Sequence, residues 1–182
     1  MRARHPNQLT RTVALVMVYL LAVTAGAAFV TRLAFQHATR SLLRVHFAAV
    51  PHHAASALGI WMHNGTIVVG FAVFLGCAHF TQRDPHAGRA ERRILRACDG
   101  ALLLWATGTA VFAGVLAGAY GSRQLHAFLP QGPVEVAAWA LLIALYIEVR
   151  RQQLAVVRAA RLLAVVLAML AVAAVLELWV GG

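Results

Sequence analysis

Five side chains in this sequence, His63, Asn64, His126, Gln131 and Glu135, combine chemical capability with unusual surroundings, because they stand in or beside long apolar runs. A polar group in such a run costs free energy unless it is paired or hydrated, which makes each one a candidate for function. His63 and Asn64 lie near the middle of a run spanning 54–80, about 14 Å from its nearer end at 1.5 Å per residue. Gln131 and Glu135 belong to Leu129-Pro130-Gln131-Gly132-Pro133-Val134-Glu135 and are four positions apart. They share a face if that turn is already helical. His63, His126 and Glu135 are of the types that bind zinc, which takes three or four such ligands and keeps an open position for water when catalytic. His63 and Glu135 also suit a general acid and base acting on a peptide bond, with Asn64, Gln131 and His126 as binding groups. The same residues have a purely structural reading, in which Glu135 bonds to His63 or Asn64 and locks two helices together. Spacing leaves these alternatives open: there is no HExxH, and His52 and His53 are adjacent rather than four apart.

Composition dictates what must position these groups. Residues of the set AVILMFWYC make up 61% of the chain and only 12% are charged. The mean hydropathy is +0.73. A soluble domain carries about 25% charged residues, so this chain lacks the material for a water-facing skin. A soluble enzyme, a disordered tail and a disulfide scaffold are excluded. The expected class is all-α, an integral membrane bundle in one domain covering 1–182, with the lipid bilayer as its first partner. Apolar runs predict five spans at about 13–30, 54–80, 101–119, 128–147 and 162–180. The connection 31–53 mixes Arg32, Arg40 and Arg44 with Leu42, Leu43, Val45 and Phe47, a pattern suited to a short amphipathic helix on the membrane surface. The first run also has the basic start and the small residues Ala25-Gly26-Ala27 of a signal peptide, although its apolar length favours a retained helix.

All 16 basic residues are arginine, against 6 acidic ones. They flank the apolar runs with few interleaved aromatics, so they read as topology determinants and headgroup contacts rather than a nucleic-acid surface. Alternate connections divide them unevenly. Arg2, Arg4, Arg11, Arg83, Arg89, Arg92, Arg93, Arg96, Arg150, Arg151, Arg158 and Arg161 fall on one side, and Arg32, Arg40, Arg44 and Arg123 on the other. The positive-inside rule then predicts a multi-pass protein of the cell membrane with a cytoplasmic N-terminus and an external C-terminus. On the external side it gathers His46, His52, His53, His126, Gln131, Glu135 and Glu177, and a cavity there is expected. Gly114 and Gly118 form a GxxxG pair for close helix packing. Cys77 and Cys98 lack metal-type spacing and read as free thiols.

The stretch from Phe128 to Ala138, with Leu129, Pro130, Gly132 and Glu135 in register, resembles the signature of the SpoIIM family (stage II sporulation protein M, DUF95). Gln131 stands where that family usually has histidine, and His63-Asn64-Gly65 with Gly70 is similar to its asparagine-centred motif. The resemblance implies a five-span accessory or scaffold subunit of a membrane complex. Such a subunit would act with other membrane or envelope proteins on a peptide or cell-envelope substrate, in sporulation-type remodelling or modified-peptide maturation and export. An intramembrane metal-dependent peptidase is the enzymatic alternative, and a small transporter or immunity protein the third. The glutamine at 131 weighs against a metal site built on that position, since an amide is a poor replacement for imidazole.

Overall fold

A computed structural model describes residues 7–43, 54–83, 88–122, 126, 128–152 and 154–180, and among them there are helices and turns but no strand. The helices are α1 (Asn7–Val30), continued by a π turn (Thr31–Phe35) into α2 (Gln36–Leu43), then α3 (Ala54–Arg83), α4 (Arg89–Tyr120), α5 (Gly132–Arg150) and α6 (Val156–Val180). Five helical stretches, Gln8–Leu43, Leu58–Thr81, Arg89–Tyr120, Gly132–Arg150 and Val157–Leu178, are long and apolar enough to cross a membrane. The chain is a membrane-spanning all-α bundle.

The helices outrun the apolar segments that announce them. α4 starts at Arg89, twelve positions before the apolar run at 101, because Arg, Glu, Leu and Ala are good helix formers and dominate residues 89–97, and the helix carries on through Asp99-Gly100. The first helix continues to Leu43 without a break. Of the connection expected to hold a surface helix, Gln36–Leu43 is helical and follows the first helix across the π turn; residues 44–53, with His46, His52 and His53, lie outside the described residues.

α5 is the central element, lying against α1, α3 and α6. Ala138, Ala140, Leu142, Ala144 and Leu145 are fully buried, so this helix presents almost no face to lipid over its middle turns. α1 runs along α4 and α5, and α6 packs on α5 and α3. Val68, Phe71, Leu75 and Ala78 form the buried stripe of α3, at the three-and-four spacing of one helical face. Across the middle of the bundle, Phe71, Trp105 and Trp139 stack edge-to-face at 5.2 and 5.3 Å, joining α3, α4 and α5.

Gly114 and Gly118 are where α4 meets α1. A Cβ on Gly114 would lie 2.7 Å from Ala27 Cβ, and one on Gly118 2.8 Å from Thr31 Cβ, while both would collide with α1 carbonyls. Such proximity permits polar stitches in the same seam: Thr24 Oγ1 donates to the Ala110 carbonyl at 3.1 Å, and the Tyr19 and Thr107 hydroxyls are 2.7 Å apart. Without a hydrophobic drive between helices in lipid, close packing and such bonds hold the seam.

Candidate functional site

Glu135 stands in the first turn of α5, held there by local chain chemistry. Pro133 occupies the helix start, where its missing N–H leaves nothing unsatisfied. The Gln131 carbonyl accepts from the Val134 and Glu135 amides at 3.1 and 3.0 Å, so Gln131 and Glu135 are one helical turn apart. Gln131 is buried. Phe128 folds over Gly132, where any Cβ would enter its ring. The Asn64 side-chain amide and the Glu177 carboxyl both lie close enough to the Glu135 carboxyl to act on it, the amide favourably and the second acid unfavourably. Glu135 of α5 is thereby faced by an amide of α3 and a carboxyl of α6. It also borders a cavity of about 110 Å³ shared with Thr24, Trp105, Phe128 and Trp139.

The histidines are placed differently. His63 is exposed at the bundle surface, one position away from the Asn64 that faces Glu135. His126 is also exposed, with Nδ1 2.7 Å from the Ser122 carbonyl oxygen. Of the residues proposed from sequence, Asn64, Glu135 and Glu177 come together. Among the described residues, no three His, Cys, Asp or Glu side chains are gathered to hold a metal ion. What the Asn64–Glu135 contact does chemically is tie two spans together across the bundle.

A second polar layer lies at the opposite, arginine-rich end. Thr12 Oγ1 donates to Glu148 Oε1 at 2.6 Å, joining α1 to α5, and Glu148 is only 3% exposed. Tyr146 Oη donates to Asp99 Oδ1 at 2.6 Å, and Arg150 reaches both Asp99 oxygens at 3.4 Å, joining α5 to α4. Arg151 approaches Glu148 at 4.0 Å. Beside this layer a groove of about 480 Å³ opens between α1, α4 and α5. Leu15, Leu102, Leu103 and Ile147 form its apolar walls, and Thr12, Asp99 and Arg151 its polar end. A pocket that is mostly apolar with a few convergent polar groups, within roughly 300–1,000 Å³, has the character of a ligand site.

Reading for depth inside apolar runs overlooks this layer, because Asp99 precedes the run at 101 and Glu148 follows the one ending at 147. The available signal was Tyr146 and Arg150, four apart and hence on one helical face. No known protein family, curated protein or solved structure matches the chain.

Proposed function

We propose that the chain is a scaffold or accessory subunit of a membrane complex acting on a peptide or cell-envelope substrate, the role its SpoIIM-like motif implies. The observation that carries this reading is the use made of the acidic side chains. Glu135, Glu148 and Asp99 are each engaged by a polar side chain from a different helix. A metal ligand or general base must present lone pairs toward an open position. Here the carboxylates hold α1, α3, α4 and α5 to one another, which is what a rigid platform for partners requires. The division of arginines, twelve against four, supports an arrangement with the arginine-rich end in the cytoplasm and the C-terminus outside.

Purification of the full chain in mild detergent tests this. A specific membrane partner in fixed ratio, whose deletion reproduces the loss-of-function phenotype, is the expected result. Cleavage of a co-expressed peptide by the purified chain alone, abolished by Glu135→Gln with no loss of thermal stability, would replace it with the peptidase reading. The groove at the arginine-rich end favours a second reading, an immunity- or transport-type protein that holds an amphiphilic peptide. Photocrosslinking from Leu103, which lines the groove, would then capture the peptide rather than a resident subunit.

A further inference from the structure

Arginines at the arginine-poor end need their own explanation, because the topology rule that accounts for the other twelve does not ask for them. Arg32 and Arg40 line one cavity of about 580 Å³, together with Tyr120, Gly121 and Ser122 at the end of α4. Local structure brings them there. In an unbroken α-helix, residues eight apart turn through about 800°, which leaves them about 80° out of line. The π turn at Thr31–Phe35 absorbs one extra residue, so the rotation falls to about 700° and the two side chains come within about 20° of one face. Arg32 lies inside that turn.

The Arg40 guanidinium is bonded to the end of α4, and the Arg32 guanidinium lies beside it. Arg40 Nε donates to the Ala119 carbonyl at 2.6 Å, and Gln36 Nε2 donates to the same oxygen at 3.3 Å. Gly121 caps the helix at φ +60°, its N–H returned to Ala117 O at 2.8 Å. Arg32 Nη1 lies 3.0 Å from where a Cβ on Gly121 would be, so the cap residue leaves room for that guanidinium. Capping of α4 accounts for Arg40 Nε, since cations favour the last carbonyls of a helix. It accounts for neither the Nη groups of Arg40 nor Arg32. Among the described residues, neither arginine pairs with a carboxylate.

We propose that Arg32 and Arg40, brought onto one face by the π turn and set against Tyr120–Ser122, form a binding site for a phosphate-type oxyanion. Two guanidinium groups match the geometry of phosphate oxygens through paired N–H donors, and the Ser122 hydroxyl adds a neutral donor. A lipid headgroup and a soluble phosphate offer the same chemistry at this end of a span.

The test uses the full chain in maltoside micelles, which contain no phosphate. Inorganic phosphate is titrated against chloride at matched ionic strength, and phosphatidylglycerol is added in a separate arm, with native mass spectrometry and thermal unfolding as readouts. Stabilisation by inorganic phosphate assigns a soluble ligand, and retention of phosphatidylglycerol alone assigns a lipid headgroup; either supports the site. Arg32→Gln and Arg40→Gln should each weaken binding about tenfold, as loss of a charge-assisted bond predicts, while Arg158→Gln at the other end leaves it unchanged. If Arg40→Gln disturbs the cap of α4, Arg32→Gln alone decides. Deleting Ala34 removes the extra residue of the π turn and should abolish binding with helicity retained. No binding in either arm, or equal binding by wild type and Arg32→Gln, overturns the proposal.

Discussion

The two polar layers of the bundle are built from similar parts in opposite ways. Glu135 lies within a span and is met by a neutral amide, Asn64, with a second carboxyl, Glu177, nearby. At the other end Glu148 and Asp99 lie at the margins of apolar runs, and hydroxyls and guanidinium groups from neighbouring helices meet them at 2.6–3.4 Å. The acid that looks most anomalous in sequence is thus supported by one amide, whereas an inconspicuous one, Glu148, is among the most buried polar residues described. Distance into an apolar run measures how costly a polar group would be if alone. It does not measure how much of the fold depends on the group, which is set by burial and by how many helices the bond joins.

Thr12→Val should give the largest effect, because it withdraws a short hydrogen bond from a carboxylate that water cannot reach. A loss of about 1–3 kcal/mol is expected for an unsatisfied buried acceptor. Thermal unfolding in detergent reads this directly, and Thr12→Ser should retain most of the stability. An unchanged midpoint for Thr12→Val would show that Arg151, at 4.0 Å, suffices and that the arginine-rich layer is weaker than its geometry indicates.

Asn64→Leu comes next, at about 0.6–1.7 kcal/mol, the range for hydrogen bonds between membrane helices. A double-mutant cycle with Glu135→Leu isolates the pair, and a coupling near zero would mean that Asn64 and Glu135 do not act on each other in the folded state. Tyr146→Phe should cost less, about half a kcal/mol, since the Asp99 side chain is 41% exposed and keeps Arg150 as a partner. If Tyr146→Phe proved more damaging than Asn64→Leu, the ranking of the two layers by burial would be wrong.

Helix class and number were legible because a run of about 20 apolar residues has few other uses. Helix ends were less so. Nothing in Thr31-Arg32-Leu33-Ala34-Phe35 marks a π turn in place of a break, and the charged start of α4 is helical by propensity, not by apolar content. The site divides along the same line. Glu135 announces itself by standing in an apolar run, and an amide on the second span was a foreseeable partner. Thr12 and Glu148 are 136 positions apart, Asp99 and Tyr146 47 apart. Pairs like these follow from which helices are neighbours, and periodicity along one helix says nothing of its neighbours. The close approach of α1 and α4 at Gly114 and Gly118 helps decide that neighbourhood, since a residue without a side chain determines which helix can come near.

His63→Ala should have the smallest effect, within about 0.5 kcal/mol, as for a surface position outside any cap or network. Its ring is exposed while its neighbour Asn64 lies near Glu135, so removal of the imidazole leaves that interhelical pair in place. The adjacent pair makes this a sharp internal control: two consecutive residues of one helix, about 100° apart around its axis, predicted to differ several-fold in effect. Metal analysis of the purified His63→Ala protein completes the comparison. A variant that lost stoichiometric zinc, or lost as much stability as Asn64→Leu, would place the imidazole in the same cluster as Glu135. It would return His63, His126 and Glu135 to consideration as ligands of one ion.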